Sequence, residues 1–185
     1  ANPSNYRNAP NLPTVPPQTD GVLLPQLARD SLARLAIKGR ASNTDYSRSQ
    51  FGDGWTLIDG CDMRNIILKR DLQSTVIDSA CNMQSGVLHD PYSGATIEFQ
   101  RGPATSPLVQ IDHVVALGDA WQKGAQAWPL TKRVEFANDP LELLAVAGVA
   151  NQQKSNSDAA SWLPSNKAFR CQYAARQIAI KAKYG

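Results

Sequence analysis

The chain has 185 residues, of which 42% are apolar and 19% charged, and a net charge of +3. No apolar run approaches the roughly 20 residues needed to span a bilayer, and so weak a basic excess permits an anionic partner such as nucleic acid without demanding one. Three cysteines, at 61, 81 and 171, and two histidines are too few and too scattered for a structural zinc cluster.

Residues 1–20 hold five prolines and few periodic apolar residues, so they read as a Pro/Asn-rich flexible arm, and residues 21–185 as one domain. The chain begins at Ala1 and not at Met, which suits a secreted protein after signal-peptide removal, although a trimmed sequence would look the same. Residues 22–38, "VLLPQLARDSLARLAIK", space Leu24, Leu27, Ala28, Leu32, Leu35 and Ala36 as an amphipathic helix interrupted early by Pro25, with Gly39 as its stop. Residues 62–73 form a second helix with Asp62 as N-cap and Met63, Ile66, Ile67 and Leu72 at helical intervals. Residues 86–100, "GVLHDPYSGATIEFQ", place two β-prone runs around a Pro- and Gly-containing turn, a hairpin. A strand over 108–113, a helix over about 117–128, a strand over 141–146 and a helix starting near 149 follow. The C-terminal stretch aligns Phe169, Tyr173 and Ile180 at helical spacing, with Lys181 and Lys183 suiting a helix C-terminus. The class is α+β, with short strands and more helix. Three cysteines allow three single disulfides with one thiol left over; the sequence does not choose among them, and Cys61–Cys81 is the pairing expected.

The strand "LVQIDH" ends in Asp112 and His113. Neighbouring side chains on a regular strand face opposite ways, so the pair can serve one site only where the strand ends or bends. A neutral imidazole accepts a proton from water near neutral pH, and an ionised carboxylate is a hard oxygen ligand for a divalent cation. A dipeptide alone is weak, and its bland reading is a histidine satisfied at a strand end. Downstream, the strand "LELLAV" and then "GVANQQKSNSD" bring Asn151 and, three residues later, Lys154.

Over longer stretches the chain resembles the HNH, or ββα-metal, endonucleases of the DUF1524 type, related to the C-terminal nuclease part of GmrSD restriction enzymes. "DHVVALGDAWQKGAQAW", "FANDPLELLAV", "NQQKSNSDAASWLP" and "FRCQYAARQIAIKAKYG" carry the resemblance, and upstream so do "YSRSQFGDGW", "DGCDMRNIILKRDL" and "HDPYSG". It covers about Tyr46 to Gly185 and implies a ββα-metal core of short antiparallel strands and a helix over about 108–160. It also implies His113 as general base and Asp112 and the Asn151 side-chain oxygen as ligands of one Mg²⁺-like ion, with Mn²⁺, Ca²⁺ and Ni²⁺ as alternatives. Where the family has an Asn that braces the loop holding the base, this chain has Glu142, which when ionised accepts but does not donate a hydrogen bond; the alternative is an exposed strand residue. Lys154 is a candidate phosphate contact or a solvated helix charge, and Arg133 and Arg64 are further phosphate candidates.

His89 reads as a surface histidine beside the hairpin turn, Trp121, Trp128 and Trp162 as core, and Asp119 as a cap of the inserted helix. The function implied is a secreted endonuclease that hydrolyses DNA, and RNA as a second substrate, with little sequence preference and 5′-phosphate products. Activity is expected to depend on metal and to rise as pH passes through the histidine pKa. The rival reading is a nucleic-acid-binding or cell-surface protein on the same fold with its chemistry lost. A Ser-His-Asp hydrolase finds no Gly-x-Ser-x-Gly elbow.

Overall fold

The computed structural model describes residues 25–185, so the expected arm over 1–20 lies outside the described residues. The elements in chain order are α1 (Pro25–Arg34), β1 (Leu57–Ile58), β2 (Cys61–Asp62), α2 (Met63–Asp71), β3 (Gln73–Ile77), β4 (Met83–His89), β5 (Thr96–Gln100), β6 (Val109–His113), α3 (Leu117–Gln122), α4 (Leu130–Ala137), β7 (Leu143–Ala147), α5 (Gly148–Lys154) and α6 (Arg170–Tyr184). The fold is α+β, with the strands in three small antiparallel sheets: β1–β2, β3–β4–β5 and β6–β7.

The β6–β7 ribbon is the centre of the molecule, paired from Val109↔Ala147 to His113↔Leu143. Leu144 and Val146 belong to a core with Phe51, Tyr92, Phe136 and Tyr173. Leu143, Ala145, Val109 and Ile111 belong to a second core with Ile67, Met83 and Phe99. Because both faces are covered, all five residues of β7 are buried, and the continuous apolar run of this strand follows from that, since an antiparallel strand with one wet face would alternate.

A two-stranded sheet leaves each strand with an unpaired edge, and buried backbone groups need partners. On β7 the partners are side chains. The Ala145 N–H donates to Asp71 Oδ2 at 2.8 Å and the Ala147 N–H to Asp90 Oδ1 at 3.0 Å. The Leu143 carbonyl accepts from Arg70 Nη2 at 2.7 Å and from Arg176 Nη2 at 2.9 Å. Both arginines also hold the Pro140 carbonyl, fixing the turn that leads into the strand.

Local signals set the flanking elements. The Asp62 side chain caps α2 by accepting from the Asn65 N–H at 2.7 Å, as its position predicts. The Asn65 side-chain oxygen then accepts from the Met83 N–H at 2.8 Å, and the expected Cys61–Cys81 disulfide closes the same junction, leaving Cys171 free and exposed. The hairpin is present as β4–β5, in register from Ser85↔Gln100 to His89↔Thr96. The helix expected over 117–128 is shorter: Gly124 adopts φ +135°, a conformation open to glycine, and a 3₁₀ turn at Ala125–Ala127 follows. The first helix ends at Arg34, before the expected Gly39 stop. Gly148, the first residue of α5, sits so close to the Pro107 carbonyl that an added Cβ would lie 2.1 Å from its oxygen, so the helix bearing Asn151 and Lys154 is seated against the entry to β6.

Candidate active site

Asp112 and His113 are the last two residues of β6, and the pairing with β7 holds through both. With no bend between them, the side chains leave on opposite faces of the ribbon. Asp112 is 4% exposed. Its Oδ1 accepts from Lys154 Nζ at 2.8 Å and its Oδ2 from the Tyr92 hydroxyl at 2.5 Å. Lys154 is fully buried, at 0% exposure, and donates a second bond to the His113 carbonyl at 2.8 Å. Burial pushes the Asp112 carboxyl upward, while the Lys154 ammonium pulls the other way. Two donors on its two oxygens suit the ionised form. Burial, and then the Asp112 charge, hold the Tyr92 phenol well above its usual value, so it remains a donor. Tyr92 is brought here by Asp90, which accepts from the Tyr92 and Ser93 N–H groups and also anchors the end of β7.

His113 lies against Trp55, with the rings stacked at 5.7 Å between centroids and 7° between planes. Its Nε2 is 2.9 Å from the Ala137 carbonyl. A carbonyl only accepts, so Nε2 carries the proton and the neutral ring keeps its lone pair on Nδ1. Burial lowers the His113 pKa to about 3, helped by the charge of Arg48. The imidazole is therefore uncharged across the neutral range, and the expected rise of activity through an ordinary histidine pKa loses its basis. The Asn138 side chain fixes the Trp55 segment by accepting from the Thr56 N–H at 2.9 Å.

Glu142 is not an exposed strand residue; it is at 0% exposure, immediately before β7. Its carboxyl accepts from the Val115 N–H, at 3.1 Å from Oε1 and 3.3 Å from Oε2, and its own carbonyl accepts from the Val114 N–H at 2.9 Å. It thus braces the two residues after His113. Burial raises its pKa well above the ordinary carboxylate value, with the Lys154 charge and the Val115 N–H opposing.

Asn151 lies on α5, where its Nδ2 donates to Gln110 Oε1 at 2.9 Å. Gln110 and Asp112 share one face of β6, so Asn151 and Lys154 address the same face two residues apart. Asn151 Oδ1 has no hydrogen-bond partner among the described residues. Lys154 is turned inward and is not placed to meet a phosphate. Arg133 spans from the Gln50 carbonyl to that of Trp128, and Arg64 donates to the Val109 carbonyl at 3.2 Å; both serve the fold as positioned. His89 is exposed and bonds Thr96, and Trp121 is buried in the core. Asp119 does not cap α3; its Oδ1 lies 2.8 Å from Lys123 Nζ. Sequence reasoning gave no role to Tyr92, Trp55 or Gln110, although the first two stand in the stretches "HDPYSG" and "FGDGW".

Two antiparallel strands followed directly by a helix, with an acid and an imidazole on the first strand and an amide and an ammonium on the helix, define a ββα unit. The chain belongs to the family described as GmrSD restriction endonucleases, C-terminal domain, which it matches over residues 62–185, and its function is accordingly nuclease-related. It is also similar to an uncharacterized secreted protein of Arthroderma benhamiae, 32% identical over 186 residues that cover 100% of this chain and 83% of the relative. No solved structure matches the chain. The disulfide and the secreted relative agree with secretion, because disulfides persist in oxidising compartments. Among the described residues no helix is long and apolar enough to cross a membrane.

Proposed function

We propose that the chain is a secreted, metal-dependent endonuclease of the HNH type, hydrolysing phosphodiester bonds of DNA, and of RNA, with little sequence preference. The observation that carries this reading is the ββα unit inside the matched family span, with Asp112 and His113 at the end of its first strand and Asn151 on its helix. His113 is the general base. Its Nε2–H is held by the Ala137 carbonyl, leaving Nδ1 to take the proton of the attacking water as the phosphorus–3′ oxygen bond breaks. Trp55 fixes the ring plane, and the Glu142 brace fixes the backbone behind it.

Asp112 and Asn151 would hold one divalent cation, Mg²⁺ first, with Mn²⁺, Ca²⁺ or Ni²⁺ as alternatives. Carboxylate and amide oxygens are the donors a hard ion prefers, and the unpartnered Asn151 Oδ1 on the Asp112 face suits that role. Such an ion would compete with the Lys154 ammonium for Asp112 Oδ1, and when bound it supplies positive charge for the phosphate and the departing oxygen.

The test is cleavage of plasmid, linear DNA and RNA by the wild type and by His113→Ala, in each of the four ions and with EDTA. Wild-type cleavage abolished by EDTA, and reduced about 10²–10⁴-fold by the substitution, is expected. Unchanged cleavage by His113→Ala overturns the assignment of the base. The engagement of both Asp112 oxygens favours one second reading, nucleic-acid binding without turnover. Retention of DNA at low salt with no cleavage in any of the four ions supports that reading instead.

A further inference from the structure

Away from the ββα unit, a cavity of about 600 Å³ opens between the segment around the end of α1 and one face of α6. Leu32, Leu35 and Ile37 form one wall, Ile178 lies on the other, and Trp128 and Phe136 line the interior. The volume and mostly apolar lining are those of a small-molecule site. Leu32 is 54% exposed and Ile37 101% exposed, so two large apolar side chains stand in water at this cavity.

Three lysines line the same cavity, Lys38, Lys123 and Lys181. Lys123 is committed to Asp119 and Asp158, at 2.8 Å from each. Lys181 is half-buried on the α6 wall, and its side-chain ammonium makes no hydrogen bond or ion pair among the described residues. Burial lowers its pKa, with Lys123 adding to the effect and the charges of Asp119, Asp158 and Glu142 opposing it from a distance. A partly desolvated ammonium without an acceptor, set in an apolar wall, is the complement of an anion carried on an apolar body. The Trp128 ring is not open to a stacking base, because Lys132 Nζ covers it at 4.4 Å and Phe136 packs on it at 5.6 Å.

We propose that this cavity binds a single-chain amphiphile with a carboxylate head, a free fatty acid, whose tail lies between Leu32, Leu35 and Ile178 and whose head pairs with Lys181. The proposal is independent of the nuclease reading, and its test does not use activity. Titration calorimetry of the full chain with dodecanoate, below its micellar concentration, is expected to give saturable one-to-one binding, with dodecyltrimethylammonium binding far more weakly. Lys181→Met keeps the apolar stem and is expected to weaken dodecanoate about tenfold, the scale of one charge-assisted contact. Ala174→Trp, which fills the cavity from the α6 wall, should abolish binding while circular dichroism stays unchanged. Failure of the full chain to bind dodecanoate overturns the proposal, as it would if another part of the chain filled the cavity. Equal binding by Lys181→Met overturns it, and so does equal binding of the cationic amphiphile. Sedimentation with phosphatidylglycerol vesicles in the absence of dodecanoate binding would overturn it in favour of a membrane surface.

Discussion

Replacing Lys154 by Met tests the electrostatics of the site most directly. The Lys154 and Asp112 side chains are 0% and 5% exposed, and their charged atoms are 2.8 Å apart. Removing one partner of a buried pair strands the other charge, at a cost of about 3–5 kcal/mol. Methionine keeps most of the buried stem, so lost packing adds little. Asp112→Asn strands the ammonium instead, leaving it only the His113 carbonyl. The double variant strands neither, and its destabilisation should fall short of the sum of the singles by about 1.5–3 kcal/mol, the worth of a hydrogen bond between charged groups. Urea denaturation followed by tryptophan fluorescence at pH 7 reads all four corners of the cycle. For a domain of this size each kcal/mol is about 2–4 °C in Tm, so either single variant should melt about 6–20 °C lower. The pH dependence gives a second check. With Lys154 gone, the upward push of burial on Asp112 loses its strongest opponent and only the Tyr92 hydroxyl and the more distant Arg176 charge still oppose it. A carboxyl whose folded pKa is raised stabilises the fold most below its unfolded pKa and loses that contribution as pH rises through the folded value. The Lys154→Met defect should therefore shrink on acidification. Singles within about 1 kcal/mol of wild type, together with no coupling in the double variant, would refute the buried pair.

Glu142→Gln, which keeps a side-chain oxygen for the Val115 N–H, should cost less than Glu142→Ala, which leaves that N–H without its acceptor and should cost about 1–3 kcal/mol in the same denaturation. His113 stays neutral in the fold down to about pH 3 but protonates at about 6.5 when unfolded, so stability falls with acid between these values by up to about 1.4 kcal/mol per pH unit. Chemical-shift titration of the ring should show no transition near neutral pH, and His113→Phe should flatten the acid slope. Reduction of Cys61–Cys81, which closes a loop at a separation of 20 residues, should remove about 3 kcal/mol, read as a fall in Tm with dithiothreitol.

Much of this architecture was legible because its signals are local. Asp62 caps α2 where the N-cap preference put it, the Pro- and Gly-containing turn closes β4–β5, β6 and β7 follow from apolar runs, and α5 from the polar stretch that begins at Asn151. The order of elements in the ββα unit was readable for the same reason. The environment of each site residue was not. Tyr92 reaches Asp112 across 20 residues and Ala137 reaches His113 across 24, and periodicity carries no information about such partners. Lys154 is a lysine and lysines are rarely buried, so its inward turn depends on a carboxylate 42 residues away. Glu142 could be taken as exposed only because alternation presumes one wet face, and β7 has none. The second half of the expected helix over 117–128 was lost to Gly124, and α4 passed unread although Leu130, Val134 and Ala137 stand at helical spacing after Pro129.

The side chains that complete the edge of β7 lie far from it in the chain, with Asp71 at a separation of 74 residues from Ala145, Asp90 at 57 from Ala147 and Arg176 at 33 from Leu143. The strand's outward hydrogen bonds therefore cannot exist until α2, the turn after β4 and α6 have all docked. Such non-local closure slows folding and ties the strand to the whole molecule. The Ala145 and Ala147 amides should consequently exchange with solvent deuterium only through global opening, and β7 should offer a neighbouring chain no free edge to extend.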